Sequence, residues 1–342
     1  MKNSWIVLTT INPPTKAVES IARLCDRGWS AVVVGDTKTP PRWHCDGVTY
    51  LDVAAQRTMF GTFADAIPYK HYSRKNLGYL HAIRQGAELI LETDDDNIPY
   101  DTFGQELSRS VSGRLVDGPG WVNIYKHFTD DAHIWPRGLP LDAIDNRGRV
   151  TPLATSSPCP IQQYLADNDP DVDAVYRLTN KRPVFFEREA RPVVLAKDVW
   201  VPFNSQNTVF FREAFPLLYL PCFVSFRMTD IWRSFVAQAA LAHHGLSVSF
   251  HPPTVEQLRN EHDLMKDFSD EVVGYLRNRE IGEILTHTLS GLEPNTSDLS
   301  TTALTLWRAL SDAEVIPPTE IPIIEEWFSR VADSEVLADE AR

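Results

Sequence analysis

Short apolar runs and helical stripes alternate through the first hundred positions of the chain. Trp5–Thr9 is a continuous apolar run of the buried-strand type, closed by the loop TTINPPT. Over Lys16–Asp26 the apolar residues Val18, Ile21, Ala22 and Leu24 share one helical face. Ser30–Val34 is a second buried-type strand, stopped by Gly35-Asp36. Strand, helix and strand in that order predict a parallel pair with a right-handed crossover. VTYLDV offers a third strand, Asn76–Gly86 a helix with Gly86 as its C-cap, and Glu88–Glu92 a further strand. The pattern predicts an α/β fold whose Rossmann-type, mostly parallel sheet is flanked by helices.

From about 115 to 225 the chain is rich in proline and aromatic residues, and the short strand candidates are WVNIY, PVFF and TVFF. The run MTDIWRSFVAQAALAHHG predicts a helix. Thr229 or Asp230 serves as its N-cap, Ile231, Phe235, Val236, Ala239 and Ala240 form its apolar face, and Gly245 stops it. SVSF then predicts a strand ending at His251-Pro252-Pro253. The chain beyond about 270 reads as helical and acidic, with an amphipathic last segment, and no repeat of solenoid period occurs.

The formal net charge of −13 excludes a general binder of nucleic acid or anionic membrane, because both require a cationic surface. A local basic patch can still hold a small phosphorylated ligand. Cys25, Cys45, Cys159 and Cys222 are scattered without metal-type spacing, as suits reduced thiols. The N-terminus lacks signal-peptide features, and no window approaches the length of apolar run that spans a bilayer. The expectation is a cytoplasmic protein with no transmembrane segment.

In open sheets of this type ligands bind at the carboxyl ends of the strands. Three polar clusters fall there: Thr9-Thr10, Gly35-Asp36 and Asp94-Asp95-Asp96. Alternating carboxylates at a strand terminus suit Mg²⁺ or Mn²⁺, and a cation would relieve their mutual repulsion. An acidic solvated turn is the plain alternative. Phosphohydrolases of the haloacid dehalogenase type place such a pair on the first strand with Thr or Val two residues on; here the strand is a late one and the residue is Ile98. Arg74 and Lys75 precede a helix beginning near Asn76, a place for a diphosphate or merely a solvated cap. No P-loop and no GxGxxG motif is present. Asp230 is either a general base or an N-cap, and His251 and His262 are either metal ligands or packed residues.

Several blocks extend the picture: SRKNLGYLHAI, LETDDDNIPY, IWPRGLPLDAI, DPDVDAVYRLT, FNSQNTVFF, VSFRMTDIWRSFVAQ and PPTVEQLRNEHDLMKDF. Together they closely resemble the STELLO-type glycosyltransferase family, in order from about Trp5 to Tyr275. The resemblance implies a GT-A-like domain over 1–278, with a nucleotide-binding half to about 115, an acceptor half from 116, and a helical extension over 279–342. It implies a nucleoside diphosphate sugar donor, UDP-linked, and a glycan or other hydroxyl acceptor. Thr9, Thr10 and Asp36 would hold base and ribose, with Arg74, Lys75 and Asn76 near the diphosphate. Asp94 and Asp96 would hold Mn²⁺ or Mg²⁺ with His262 in preference to His251, Asp95 would touch the donor, and Asp230 would face the acceptor. More distant similarity to the UDP-arabinopyranose mutase group leaves a nucleotide-sugar mutase as one alternative and a non-catalytic scaffold as another. The acidic C-terminal helices offer a surface for homo-oligomerisation or docking.

Overall fold

The computed structural model describes residues 3–152, 156–180, 182–259, 263–293 and 297–340, with side chains to 336 in the last stretch. The first part contains β1 (Ser4–Thr9), α1 (Lys16–Cys25), β2 (Trp29–Val34), β3 (Thr49–Leu51), α2 (Val53–Phe60), α3 (Thr62–Ala66), α4 (Lys75–Arg84), β4 (Leu89–Thr93) and β5 (Asn97–Pro99). The middle has β6 (Ser110–Val111), β7 (Arg114–Asp117), β8 (Gly120–Trp121), β9 (Arg149–Pro152), β10 (Ser157–Pro158), β11 (Ile161–Asp167), α5 (Ala174–Thr179), β12 (Val193–Leu195), β13 (Val199–Trp200) and β14 (Asn207–Phe211). There follow α6 (Thr229–His243), β15 (Val248–Gln257), α7 (Leu264–Ser290), α8 (Leu299–Asp312) and α9 (Ile321–Glu340).

The main sheet runs β3-β2-β1-β4-β14-β11-β15-β12-β7-β9, with β5 added on β15. Its first four strands are parallel throughout, as the alternation of apolar runs and helical stripes predicts. β14 then pairs antiparallel with β4 and β11, and the second half is mixed. Thr15 caps α1 by accepting from Val18 N, and Ala17, Val18 and Ile21 turn inward. Helix α4 lies so close to the sheet that a Cβ on Gly78 would stand 2.7 Å from Val7 Cγ1 and 2.8 Å from Val34 Cγ2. Glycine lets backbone and sheet touch, which anchors the α4 N-terminus beside the strand ends.

Four sequence expectations change. Only Trp121 of WVNIY is in a strand, at the end of β8, and the run turns into a 3₁₀ segment, Ile124–His127, with Asn123 Nδ2 held by the carbonyls of Ile134 and Ile144 at 2.8 and 2.7 Å. Among the described residues PVFF makes one bridge, Val184 to Asn168. The strand expected to stop at the prolines continues to Gln257. Its register with β11 jumps from Tyr164↔His251 to Ala166↔Val255, so residues without an N–H fall where the ladder is already broken. Helix α6 starts at Thr229 with Met228 as N-cap, so Asp230 lies inside the first turn.

The expected division after residue 278 falls within α7. Asn278 Oδ1 accepts from Trp232 Nε1 at 2.9 Å, and Trp307 and Trp327 belong to the same apolar cluster as the sheet. Glu320, just before α9, accepts from the backbone N–H groups of Cys222 and Phe223 at 2.6 and 2.8 Å. The C-terminal helices are therefore a wall of the main body. Leu306, Leu310, Ile324 and Val331 are buried against it. Among the described residues no helix is long and apolar enough to cross a membrane.

Candidate functional site

The ends of β1, β2 and β4 meet at one edge of the sheet. Thr9 closes β1, and Thr10 Oγ1 donates to Asp95 Oδ2 at 2.5 Å. Asn12 Nδ2 reaches the same oxygen at 3.1 Å, and Thr15 Oγ1 donates to the Asp95 carbonyl at 2.5 Å. Burial raises the Asp95 pKa, and the bonds from Thr10 and Asn12 oppose that rise. Asp95 thus ties the first strand to the aspartate turn. At the end of β2, Asp36 Oδ2 accepts from Lys70 N at 2.6 Å, while Tyr50 lies over Gly35 and stacks on Trp43 at 4.5 Å.

The three aspartates do not alternate along a strand. β4 ends at Thr93, Asn97 N bonds Asp94 O at 3.3 Å, and the side chains of the resulting turn diverge. Asp94 Oδ1 accepts from Tyr72 Oη at 2.6 Å and from Lys75 Nζ at 3.1 Å. Asp96 Oδ2 accepts from Gln257 Nε2 at 3.2 Å. Lys75, sealed from solvent, also donates to Tyr72 Oη at 2.7 Å and to the Ser205 carbonyl at 3.1 Å. The protein therefore supplies its own counter-charge to this run. Arg74 points elsewhere: its buried guanidinium is spent on Gln56 Oε1 and the carbonyls of Ala64 and Ile67. Asn76 exchanges two bonds with the backbone of Leu220, each 2.9 Å. Both residues brace α4.

A continuous hydrogen-bonded path leads from this turn to Asp230. Tyr72 Oη, whose own hydrogen goes to Asp94, accepts from Ser205 Oγ at 2.6 Å, and Ser205 N donates to Asp230 Oδ2 at 3.2 Å. Arg137 grips Asp230 with two bonds of 3.0 Å and Asp171 with two of 2.7 Å. Burial alone would raise the Asp230 pKa; the Arg137 guanidinium outweighs it and holds the carboxyl at about 2. Burial, with Asp94 beside it, pushes the Tyr72 phenol well up, so Tyr72 stays a donor.

The donor set suits a hard divalent ion in part. Among the described residues no donor reaches Asp94 Oδ2, and Asp96 adds carboxylate oxygen to the same turn. Water and a bound diphosphate would complete such an oxygen shell. No group of three His, Cys, Asp or Glu with ligand geometry occurs among the described residues. His262 lies outside them. His251 stacks on Tyr164 at 4.4 Å, bonds Ser249 Oγ at 2.9 Å, and is pushed down by burial to about 3. It sits six residues before Gln257, but the register jump takes up two of them, so it lies roughly 13 Å along the sheet from the aspartate turn.

Periodicity alone had no means of finding Tyr72, Arg137, Ser205 or Gln257. Tyr72 precedes the Arg74-Lys75 stretch, while Arg137 and Ser205 lie in loops of the irregular middle.

The sequence profile of the STELLO glycosyltransferases matches residues 227–297, from the approach to Asp230 through α7. The chain is 31% identical over 287 residues to probable glycosyltransferase STELLO2 of Arabidopsis thaliana, covering 78% of this chain and 37% of that protein. The chain belongs to the STELLO family. STELLO1 of the same plant matches at 31% identity over 276 residues, covering 74% of this chain and 35% of its own length. The chain thus spans little more than a third of these STELLO relatives. A crystal structure of Mycobacterium tuberculosis glucosyl-3-phosphoglycerate synthase aligns at a TM-score of 0.43 and 10% identity, over 82% of this chain and 81% of that one. That likeness is too shallow to carry ligands or residues across to this STELLO-family chain.

Proposed function

We propose that the chain is a glycosyltransferase that moves a sugar from a nucleoside diphosphate donor, UDP-linked, to an acceptor hydroxyl with the help of Mn²⁺ or Mg²⁺. The observation that carries this reading is the path from Asp94 through the Tyr72 and Ser205 hydroxyls and the Ser205 N–H to Asp230, along the carboxyl edge of the parallel strands, in a chain of the STELLO family. Thr9, Thr10 and Asp36 stand at the nucleoside end. Asp94 and Asp96 would hold the ion, whose chemistry is to offset charge on the departing diphosphate. Lys75 acts through Asp94 and Tyr72, keeping the turn in place. Asp230 stands at the acceptor end and remains ionised at neutral pH, although the Arg137 fork makes it a weak base.

Calorimetry with UDP, with and without Mn²⁺, tests the reading on the intact chain and on Asp94→Asn and Asp96→Asn. The expected result is Mn²⁺-dependent binding that Asp96→Asn nearly abolishes. Equal binding by that variant would overturn the metal assignment. Absence of UDP binding under any condition would overturn the donor.

A further inference from the structure

Beside the path from Asp94 to Asp230 stands a phenyl ring that the core does not use. Phe226 is 48% exposed and Phe223 45%, in the loop that leads into α6. The loop itself is well held. Glu320 takes the N–H groups of Cys222 and Phe223, Ser225 Oγ donates to the Asp270 carbonyl, and Met228 N bonds Ser225 O at 2.8 Å. The exposed apolar rings are therefore a built feature of this surface. Phe226 meets two other rings edge to face. Its centroid is 5.7 Å from that of His71 with the planes at 81°, and 6.2 Å from that of Tyr72 with the planes at 70°. Tyr72 is the residue that joins Asp94 to Ser205.

His71 adds a hydrogen-bond donor next to that ring. Lys70, just before it, is held at φ 57° with its N–H on Asp36, a left-handed conformation that a residue other than glycine keeps only under strain. Ser73 N donates to His71 Nδ1 at 3.1 Å, and Ser73 Oγ stands 2.7 Å from the same nitrogen, so the ring proton is on Nε2. Burial lowers the His71 pKa against the opposing pull of Asp36, and the ring stays neutral. Among the described residues no acceptor meets Nε2 of this half-buried side chain.

We infer that Phe226 and His71 together receive the sugar of the nucleotide-sugar donor, a pyranose that lays one face on the Phe226 ring while a hydroxyl on its rim accepts from His71 Nε2. A pyranose is apolar on its faces, where weakly positive C–H groups suit the negative face of a phenyl ring. It is polar on its rim, where hydroxyls need partners. An exposed phenyl beside an unmet N–H answers both. The place also fits the sugar in transit. His71 follows the Lys70 that Asp36 holds at the nucleoside end, Tyr72 is bonded to Asp94 at the diphosphate end, and Phe226 lies four residues before Asp230. A sugar passing from diphosphate to acceptor must lie among these three carboxylates. The assignment rests on the glycosyltransferase reading.

The test is calorimetry on the whole chain in Mn²⁺ with UDP, UDP-glucose, UDP-galactose and UDP-xylose. Phe226→Ala removes a ring that is half in solvent, and His71→Asn keeps an oxygen for Ser73 N while deleting the Nε2 donor, so neither variant endangers the fold. For the UDP-sugar that the native chain binds best, each variant should weaken binding about tenfold and leave UDP affinity unchanged. Undiminished UDP-sugar binding by either variant overturns the pair. So does a loss of UDP affinity in step with UDP-sugar affinity, which would assign these residues to the nucleotide or the frame. UDP binding with no UDP-sugar binding overturns the pair and leaves the nucleoside end standing. No binding of UDP or of any UDP-sugar overturns the donor reading, and the pair with it.

Discussion

Glu92 and Arg233 form a two-bond ion pair, 2.6 Å from Nη2 to Oε1 and 2.9 Å from Nη1 to Oε2, with both side chains sealed from solvent. Glu92 stands two residues before Asp94 on β4, and Arg233 three residues after Asp230 on α6. One contact therefore sets the distance between the two ends of the proposed site. Burial alone would lower the Arg233 pKa; Glu92 outweighs that and raises it. Replacing Arg233 by Met strands a buried carboxylate and should cost about 3–5 kcal/mol, read from the urea midpoint. The double variant Glu92→Leu, Arg233→Met should lose less than Arg233→Met does. A larger loss in the double variant would refute the pairing as the cause.

Asp230 makes the fold acid-sensitive. Its folded pKa of about 2 lies below the ordinary value of 3.8, so its contribution is complete above the ordinary value and disappears as pH falls through about 2. Urea unfolding from about pH 5 down to about pH 2 should show the native chain losing more stability than Asp230→Asn. Parallel curves would rule out this group as the source.

Asp173 works in the opposite sense. Its oxygens accept from Tyr176 N at 2.8 Å and Trp135 Nε1 at 2.7 Å, yet burial dominates and pushes the carboxyl up to about 7. Its stabilising share is complete below the ordinary value of 3.8 and is lost as pH rises through about 7. Asp173→Asn should lose one bond to Trp135 and flatten the decline between those values. An undiminished decline would point to another group.

Gly78→Ala places a methyl where Val7 and Val34 already stand. The overpacking should cost about 1–3 kcal/mol and displace the first turn of α4, which carries Lys75. UDP affinity should fall together with the melting temperature. A variant as stable as the native chain would show that α4 has room to move.

The same chemistry was legible to different depths along the chain. The parallel order of β1, β2 and β4 and their polar ends followed from runs and stripes only a few residues long. The turn at Asp94–Asp96 was legible as acidic, but where each carboxylate points was not. Tyr72, Thr10 and Gln257 take one each, and nothing within the run says which. Arg74 read as a diphosphate ligand because it is a cation before a helix. It became a brace because Gln56 and two carbonyls meet it first.

Local periodicity was enough to establish the strand–helix–strand half and the amphipathic helices, because the contacts that make them lie within a turn or a neighbouring strand. The site required long-range contact. Tyr72 meets Ser205 across 133 positions, Glu92 meets Arg233 across 141, and Arg137 meets Asp230 across 93. Folding brings these groups out of water together, and in that buried setting the nearest partner decides which carboxylate stays charged, which group donates and which merely holds the frame.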